Sequence, residues 1–383
     1  MANIITPYNP IWYANRGLER LESALTFVRT MFMAYDDEPR ELGDTIEIRK
    51  PGAVPVQAMP ISTASDLTPS KITITLDQWF GSAFKISDKE KAYTGERIVR
   101  EHIAPAMQSL AENIETAALA LYKDVPWQII GANPAVPSEV VALRKQMNQN
   151  KVPKGQRRLA LNFEREEDLL NNATFAQANT SSSGAATQRE GEIGRKYGFD
   201  LYQNDLLPNH TTTALALTAP LTNGIAALDA TTINVDGTAV TGSVVPGDIV
   251  SFAGHTQKYA ITAAATAAGN AIALSVTPPV GQGLDGRVTI ADGVVPTFEQ
   301  TSQGISLAYD AQAFAIVMAD LPETGNGRGA EIATVGDPRT GLSLRVSRWY
   351  EPISAEEWVR FDALYGVKTL DGNRAVRYAG PTI

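Results

Sequence analysis

Between Glu96 and Val125 the apolar residues fall at Val99, Ile103, Met107, Leu110, Ile114, Ala117 or Ala118, and Leu121. Steps of three or four place them on one stripe of an α-helix. Arg97, Arg100, Glu101, Gln108, Glu112, Asn113 and Glu115 take the other faces. Pro105 removes a backbone donor and predicts an early kink, and Pro126 ends the helix. Such a helix would span about 45 Å, long enough to act as a spine. An ordinary core helix of a two-domain protein fits the same pattern. Ser87 and Glu90 have capping-box spacing and predict a short helical turn upstream, separated from the spine by Gly95.

The rest of the chain divides by period. Met1 to Tyr13, with Pro7 and Pro10, reads as extended, and Leu18, Leu21, Leu25, Val28 and Phe32 as the apolar face of a helix. Ile46 and Ile48 alternate with Thr45, Glu47 and Arg49, and Ile72, Ile74 and Leu76 with Lys71, Thr73 and Thr75. Each is a strand with one apolar face. Pro51 to Pro69, between them, has few residues for a core of its own, so the pair predicts a two-stranded arm with a long irregular tip. A lone hairpin is barely stable in water, so the arm is expected to lie on something, such as a neighbouring copy. The second strand is expected to continue through Trp79, Phe80 and Phe84.

After the spine, helices are expected over Ser138–Asn150, capped by Ser138, and over Glu164–Asn171, with a strand over Arg158–Asn162. Ala178–Gln188 is a low-complexity loop. From Thr211 the composition shifts to Thr, Ala, Gly and Val. Asp236-Gly237 between two alternating runs predicts a hairpin. Turns at Pro246-Gly247-Asp248, Gly269-Asn270 and Asp285-Gly286 predict strands at Ile249–Phe252, Ala271–Val276 and Arg287–Ile290. This density suggests a small β-barrel or sandwich of about ninety residues, inserted between two ordered regions. Beyond it, Tyr309–Met318 reads as an Ala-rich helix, Ser343–Trp349 as a strand, Ser354–Tyr365 as a helix and Ala375–Tyr378 as a strand.

Composition narrows the chemistry. The chain of 383 residues is 44% hydrophobic and 20% charged, with a net charge of −9. That balance opposes a wide basic face for gripping nucleic acid. With no cysteine, disulfides, thiol catalysis and cysteine metal sites are excluded. Arg16, Glu19, Arg20 and Glu22 interrupt any signal-peptide core. The uncharged run Tyr259–Leu284 is Ala-, Thr- and Gly-rich with two prolines and reads as β-structure rather than a membrane span. A soluble protein made in the cytoplasm is expected.

No catalytic constellation assembles. His102, His210 and His255 have no second histidine at metal-site spacing, and a packing or surface role is the plainer reading of His102. There is no phosphate loop of the GxxxxGK[ST] type and no nucleophile elbow. Gly325 to Gly329 is glycine-rich, but no strand leads into it as dinucleotide binding requires; it reads as a mobile loop. Leu321-Pro322-Glu323-Thr324-Gly325 spells a cell-wall sorting motif but lacks the membrane span and basic tail that motif needs. Glu166 with Glu167, and Glu356 with Glu357, read as solvated faces. No enzyme activity, cofactor or metal is expected.

Local matches point to a family. Ser109-Leu110-Ala111-Glu112-Asn113-Ile114-Glu115; Gly191, Ile193 and Arg195 followed by Gly198-Phe199-Asp200 and Leu207-Pro208; Gly247-Asp248 with Ser251-Phe252-Ala253-Gly254; Leu307 to Phe314; and Ala363-Leu364 with Tyr365-Gly366-Val367 occur in this order. Together with the element order, this resembles the major capsid (coat) proteins of tailed double-stranded-DNA bacteriophages. The branch is that of short-tailed phages with an inserted domain, and the likeness covers roughly Leu18 to Val376. The chain and its insertion are shorter than in the best-known members, and the run after Gly254 is unusually Ala-rich, so the insertion's contact loops do not transfer residue by residue.

The resemblance implies an α+β fold of the Hong Kong phage type: N-arm, extended β-arm, spine helix, peripheral and axial domains, with an inserted small all-β domain. The implied divisions are an N-terminal arm over 1–43, an extended β-arm over 44–86, and a peripheral domain with the spine over 87–136. The axial domain would begin over 137–210, the inserted domain occupy 211–299, and the returning part run over 300–383. The implied function is self-assembly into pentamers and hexamers of an icosahedral shell enclosing double-stranded DNA without sequence-specific binding. Implied partners are a scaffolding protein, a portal protein and a decoration protein, with no membrane. The implied location is the virion capsid, after synthesis and assembly in the bacterial host cytoplasm. Candidate inter-subunit contacts are Arg16, Arg49, Lys50, Pro51, Gly52, Pro55, Pro60, Asp66, Asp236 and Gly237. An encapsulin-like compartment, an enzyme without a recognisable site and a surface adhesin are the rival readings.

Overall fold

The computed structural model describes residues 9–36, 40–50, 59, 70–87, 99–132, 134–172, 193–300, 302–323 and 329–380. The chain begins with α1 (Pro10–Ala24), β1 (Phe32–Asp36), the arm strands β2 (Thr45–Lys50) and β3 (Ser70–Thr75), and β4 (Gln78–Ser87). The spine follows as a π-helical turn at Val99–Ile103, α2 (Ala104–Leu119) and a 3-10 stretch at Ala120–Asp124. Next come β5 (Gln128–Ile130), α3 (Pro137–Gln149), β6 (Arg157–Leu161), α4 (Phe163–Leu170), β7 (Gly194–Lys196), β8 (Phe199–Gln203) and β9 (Asn209–His210). A β-rich segment contains β10 (Leu215–Thr218), β11 (Leu221–Thr222), β12 (Thr232–Asp236), β13 (Ala239–Val244) and β14 (Ile249–Phe252). It goes on through β15 (Lys258–Ile261), β16 (Ala265–Thr266), β17 (Ala271–Thr277) and β18 (Pro296–Glu299). The chain closes with β19 (Gln303–Asp310), β20 (Phe314–Ala319), β21 (Ala330–Asp337), β22 (Leu342–Glu351), β23 (Glu356–Thr369) and β24 (Ala375–Ala379). The fold is α+β.

Two compact units divide the chain. Unit 1 takes Met1–Arg29, Met33–Ile114 and Ala315–Leu370; unit 2 takes Thr30–Phe32, Glu115–Phe314 and Asp371–Ile383. Unit 1 is built on a sheet ordered β1-β20-β23-β22-β21, with β4 also paired to β23. Helix α1 lies directly on β22 because Gly17 has no side chain: a Cβ there would stand 2.8 Å from Leu344 Cδ2. In unit 2 a mixed sheet runs β5-β24-β19-β6-β8-β7, with β9 on β19. Its core includes Leu143, Met147, Leu159, Leu161, Phe199 and Val376. The β-rich segment forms two further sheets, β10-β13-β16 and β11-β12-β17-β15-β14-β18, around a core of its own that includes Ile233, Val235, Val240, Val250, Phe252 and Leu274.

The apolar stripe of the spine is buried at Ile103, Met107, Leu110, Ile114 and Ala118. At its start, Pro105 cannot donate to the carbonyl of Glu101, and the ladder relaxes there into the π-helical turn. Glu115, expected on an outer face, is buried and accepts a hydrogen bond from Asn204 Nδ2 at 2.9 Å. The expected turn at Ser87–Glu90 lies outside the described residues, apart from Ser87, which ends β4.

Several expectations are corrected. The first helix starts at Pro10, not Leu18, because Asn9 caps it through Trp12 N at 2.8 Å and Pro10 occupies the first helical position. Pro137, not Ser138, opens α3, and Glu139 reaches back to Val136 N at 3.4 Å. Tyr309–Met318 is two strands, β19 and β20, rather than a helix. Every residue of both is buried, so no alternation marks them in the sequence. Ser354–Tyr365 is largely strand β23. Its buried face begins Glu357, Val359, Phe361, and the charged Glu357, paired with Arg348, disguises the period of two. Asp236-Gly237 is not a hairpin turn: β12 pairs with β11 and β17, and β13 with β10 and β16. The strands before and after it send Val235 and Val240 into one core from two sheets. Arg287–Ile290 is no strand; only Ile290 makes an isolated bridge, to Ala226.

Candidate assembly surface

The arm strands β2 and β3 are antiparallel in a register that opposes Ile46 to Ile74 and Ile48 to Ile72. Among the described residues they pair with no other strand. Their apolar face is graded. Ile74 and Leu76, at the base, are fully buried against Ala315, Val317, Ala319, Leu321 and Leu364 of unit 1. Ile48 and Ile72, nearer the tip, are only half-buried, and Thr45, Glu47, Lys71, Thr73 and Thr75 are exposed on the other face. The base of the arm therefore has a core within unit 1, which the sequence pattern did not predict.

Strand β4 follows the arm directly. Trp79 and Phe80 are neighbours, so they point to opposite faces, yet they remain 47% and 44% exposed. One edge of β4 is paired with β23 from Gln78 to Ser87, and the other is unpaired among the described residues. An open edge strand with apolar residues on both faces is a template for another chain. At the β22–β23 turn, Tyr350 is 46% and Ile353 95% exposed, beside stacked Trp349 and Trp358. The adjacent Trp79-Phe80 pair was the only sequence signal for any of these.

The ten sequence-predicted contact residues are scattered. Arg16 lies on α1, exposed, and pairs with Glu19 at 2.9 Å. Arg49 and Lys50 end β2. Asp236 ends β12 in unit 2, and Gly237 follows it. Pro51, Gly52, Pro55, Pro60 and Asp66 lie outside the described residues, as do Ala178–Gln188 and most of the Gly325–Gly329 loop.

Unit 2 contains a buried polar chain that resembles a relay. Tyr122 Oη meets His210 Nδ1 at 3.1 Å, and His210 Nε2 meets Asp248 Oδ1 at 3.1 Å. Gln300 Nε2 and the backbone N of Val245 donate to the other Asp248 oxygen, each at 3.0 Å. Fully buried Arg377 donates to the carbonyls of Gly247 and Lys123. Burial pushes the Tyr122 phenol up and pulls the Arg377 guanidinium down to about 10. These bonds tie the 245–248 turn of the β-rich segment to the end of the spine and to β24, an anchoring role. His102 stacks on Phe84, and His255 faces Asp285 at 3.7 Å. No group of histidines and carboxylates among the described residues has the arrangement to hold a metal. No described helix is long and apolar enough to cross a membrane.

No protein-family model matches the chain, and no curated protein does. Among solved structures, it is similar to the capsid structure of the cyanophage P-SCSP1u, with 12% identity and a TM-score of 0.49 over 94% of this chain and 89% of that one. It is similar to the capsid of Ralstonia phage GP4, with 9% identity and a TM-score of 0.47 over 93% and 88%. A virus-like particle from Pyrococcus furiosus matches with 7% identity and a TM-score of 0.41 over 95% and 96%.

Proposed function

We propose that this chain is a shell subunit of the tailed-phage major capsid type, and not an enzyme. In this reading many copies form five- and six-membered rings that close into an icosahedral shell around double-stranded DNA. The observation that carries it is the β2–β3 arm. It is paired to nothing else among the described residues, rooted in its own unit at Ile74 and Leu76, and only half-buried toward the tip at Ile48 and Ile72. Apolar surface of that kind is stabilised when the next copy covers it, and a head-to-tail contact repeated by rotation closes a ring. Many modest contacts then hold the shell together. The net charge of −9 suits a wall that must not grip packaged DNA.

The same reading takes residues 211–299 as the inserted all-β domain of the short-tailed branch, and the domain divisions of the sequence reading with it. Scaffolding, portal and decoration proteins are the partners it calls for, and the virion, assembled in the bacterial cytoplasm, is the location. The test is to image the purified protein by electron microscopy, expressed alone and with its genomic neighbours, and to treat particles from infected cells with nuclease. Closed shells holding nuclease-resistant double-stranded DNA are the expected result. Shells that never hold nucleic acid would make the chain a compartment of the encapsulin kind. A monomer under every condition would overturn the shell reading.

A further inference from the structure

The mixed sheet of unit 2 carries opposite charge at its two ends. Strands β6 and β8 are parallel neighbours, with Arg158 opposite Asp200 and Leu161 opposite Gln203, so their starts and finishes stand about 15 Å apart. At the starting end lies a shallow groove of about 550 Å³ lined by Val141, Arg144, Lys145, Asn148, Gln149 and Tyr197. Arg144 and Lys145 are exposed, as are Lys151 and Lys154 in the loop leading into β6. Arg144 is held at the groove by a bond to the carbonyl of Tyr197 at 3.1 Å. Arg157, buried beneath, has its pKa lowered first by burial and then by the like charge of Arg144.

The finishing end is acidic. Helix α4 starts immediately after β6, capped by Asn162, and carries Glu164, Glu166 and Glu167; exposed Asp205 follows β8. Burial and then Asp205 raise the Glu166 carboxyl. A helix N-terminus favours acids in its first turn, which accounts for Glu164 and Glu166 but not for Asp205 on a different segment. Each end thus gathers charge of one sign that an opposite partner would complement. Each also exposes one apolar residue, Val141 at 45% in the groove and Phe163 at 60% beside the glutamates.

We infer that the basic groove of one copy receives the acidic α4 end of the next copy of this chain, and that this charge-complementary contact joins subunits within a ring. The inference rests on the shell reading and names the partner and polarity of one contact in it. A head-to-tail contact needs two different faces on each subunit, complementary to each other, and opposite charge at the two ends supplies that. Complementary charge also steers encounter and disfavours groove-to-groove pairing.

The test uses the full chain in two charge-reversed forms, R144E/K145E and E164K/E167K. Each alone makes every ring contact like-charged, and assembled material is expected to fall by about tenfold or more at fixed concentration. The fourfold variant R144E/K145E/E164K/E167K restores opposite charge at every contact and is expected to regain assembly. A one-to-one mixture of the two forms is expected to make six-membered rings but not five-membered ones, because alternation cannot close an odd ring. It should give sheets or tubes instead of closed shells. Melting curves check that each variant folds. If the wild type assembles and the reversed forms assemble equally well, or if neither the mixture nor the fourfold variant regains assembly, the contact is wrong while the shell reading stands. If the wild type itself never assembles, the shell reading fails first.

Discussion

The ion pair between Arg345 and Asp362 sits inside the unit 1 sheet, with the two side chains 7% and 3% exposed. The guanidinium meets both carboxylate oxygens, Nε to Oδ1 at 3.2 Å and Nη2 to Oδ2 at 2.5 Å. Arg345 also donates to the carbonyl of Pro322 at 2.9 Å, and Trp79 Nε1 donates to Asp362 at 3.0 Å. Asp362→Ala would leave a buried guanidinium with one backbone carbonyl as its remaining hydrogen-bond partner and the face of the Trp79 ring 5.6 Å away, a change that costs about 3–5 kcal/mol. The lost indole bond adds little, because Trp79 is half-exposed and water replaces the carboxylate; about 0.5 kcal/mol is an upper figure. For a domain of this size each kcal/mol moves the midpoint by about 2–4 °C, so unit 1 should melt about 10 °C lower. The double variant Arg345→Met with Asp362→Leu removes both charges and should return to within about 1 kcal/mol of wild type. Thermal unfolding followed by tryptophan fluorescence reads all three. The reasoning fails if Asp362→Ala costs under about 1 kcal/mol, or if the double variant loses as much as the single one.

On the arm, Ile74→Ala should lower stability by about 2–4 kcal/mol because its side chain is fully buried. Ile72→Asp, at a half-buried position, should leave the melting curve nearly unchanged and abolish particles in sedimentation; equal effects on both readouts would contradict the graded arm. Tyr309 is buried and bonded to Thr30 and Tyr202, and its phenol is pushed up to about 12 by burial. Its raised pKa favours the neutral form in the fold, so this stabilisation is complete below pH 10 and is lost as pH rises through 12. Tyr309→Phe should therefore reduce the protons released on unfolding at pH 11 by roughly 0.8, measured from the pH dependence of urea midpoints. Gly242 has φ +101°, and a Cβ there would lie 2.1 Å from the carbonyl oxygen of Ala214. Gly242→Ala should cost about 2 kcal/mol or more and speed amide exchange in β10 and β13.

What the sequence disclosed followed its periodicity. The spine was legible because one apolar face in a 3.6 period stands against polar residues, and the arm because β2 and β3 are one-sided strands. The interior strands were not, because β19 and β20 are buried on both faces and their Ala-rich run has no period to separate strand from helix. In β23 the buried Glu357 stands where an apolar residue would have marked alternation. Asp236-Gly237 spelled a hairpin, but pairing is chosen by long-range register, and the strands on either side joined different sheets. The charged groove escaped for the same reason. Arg144 and Tyr197 are 53 residues apart, and no local pattern links them. The relay-like chain of Tyr122, His210 and Asp248 was invisible too, since its members come from three distant segments.

The most direct measurement is electron microscopy of the full-length protein after assembly, with sedimentation to count what fraction is particulate. The account predicts closed shells, or sheets and spirals built of five- and six-membered rings, together with their loss in Ile72→Asp. A protein that sediments only as a folded monomer, alone and with its genomic neighbours, would contradict it.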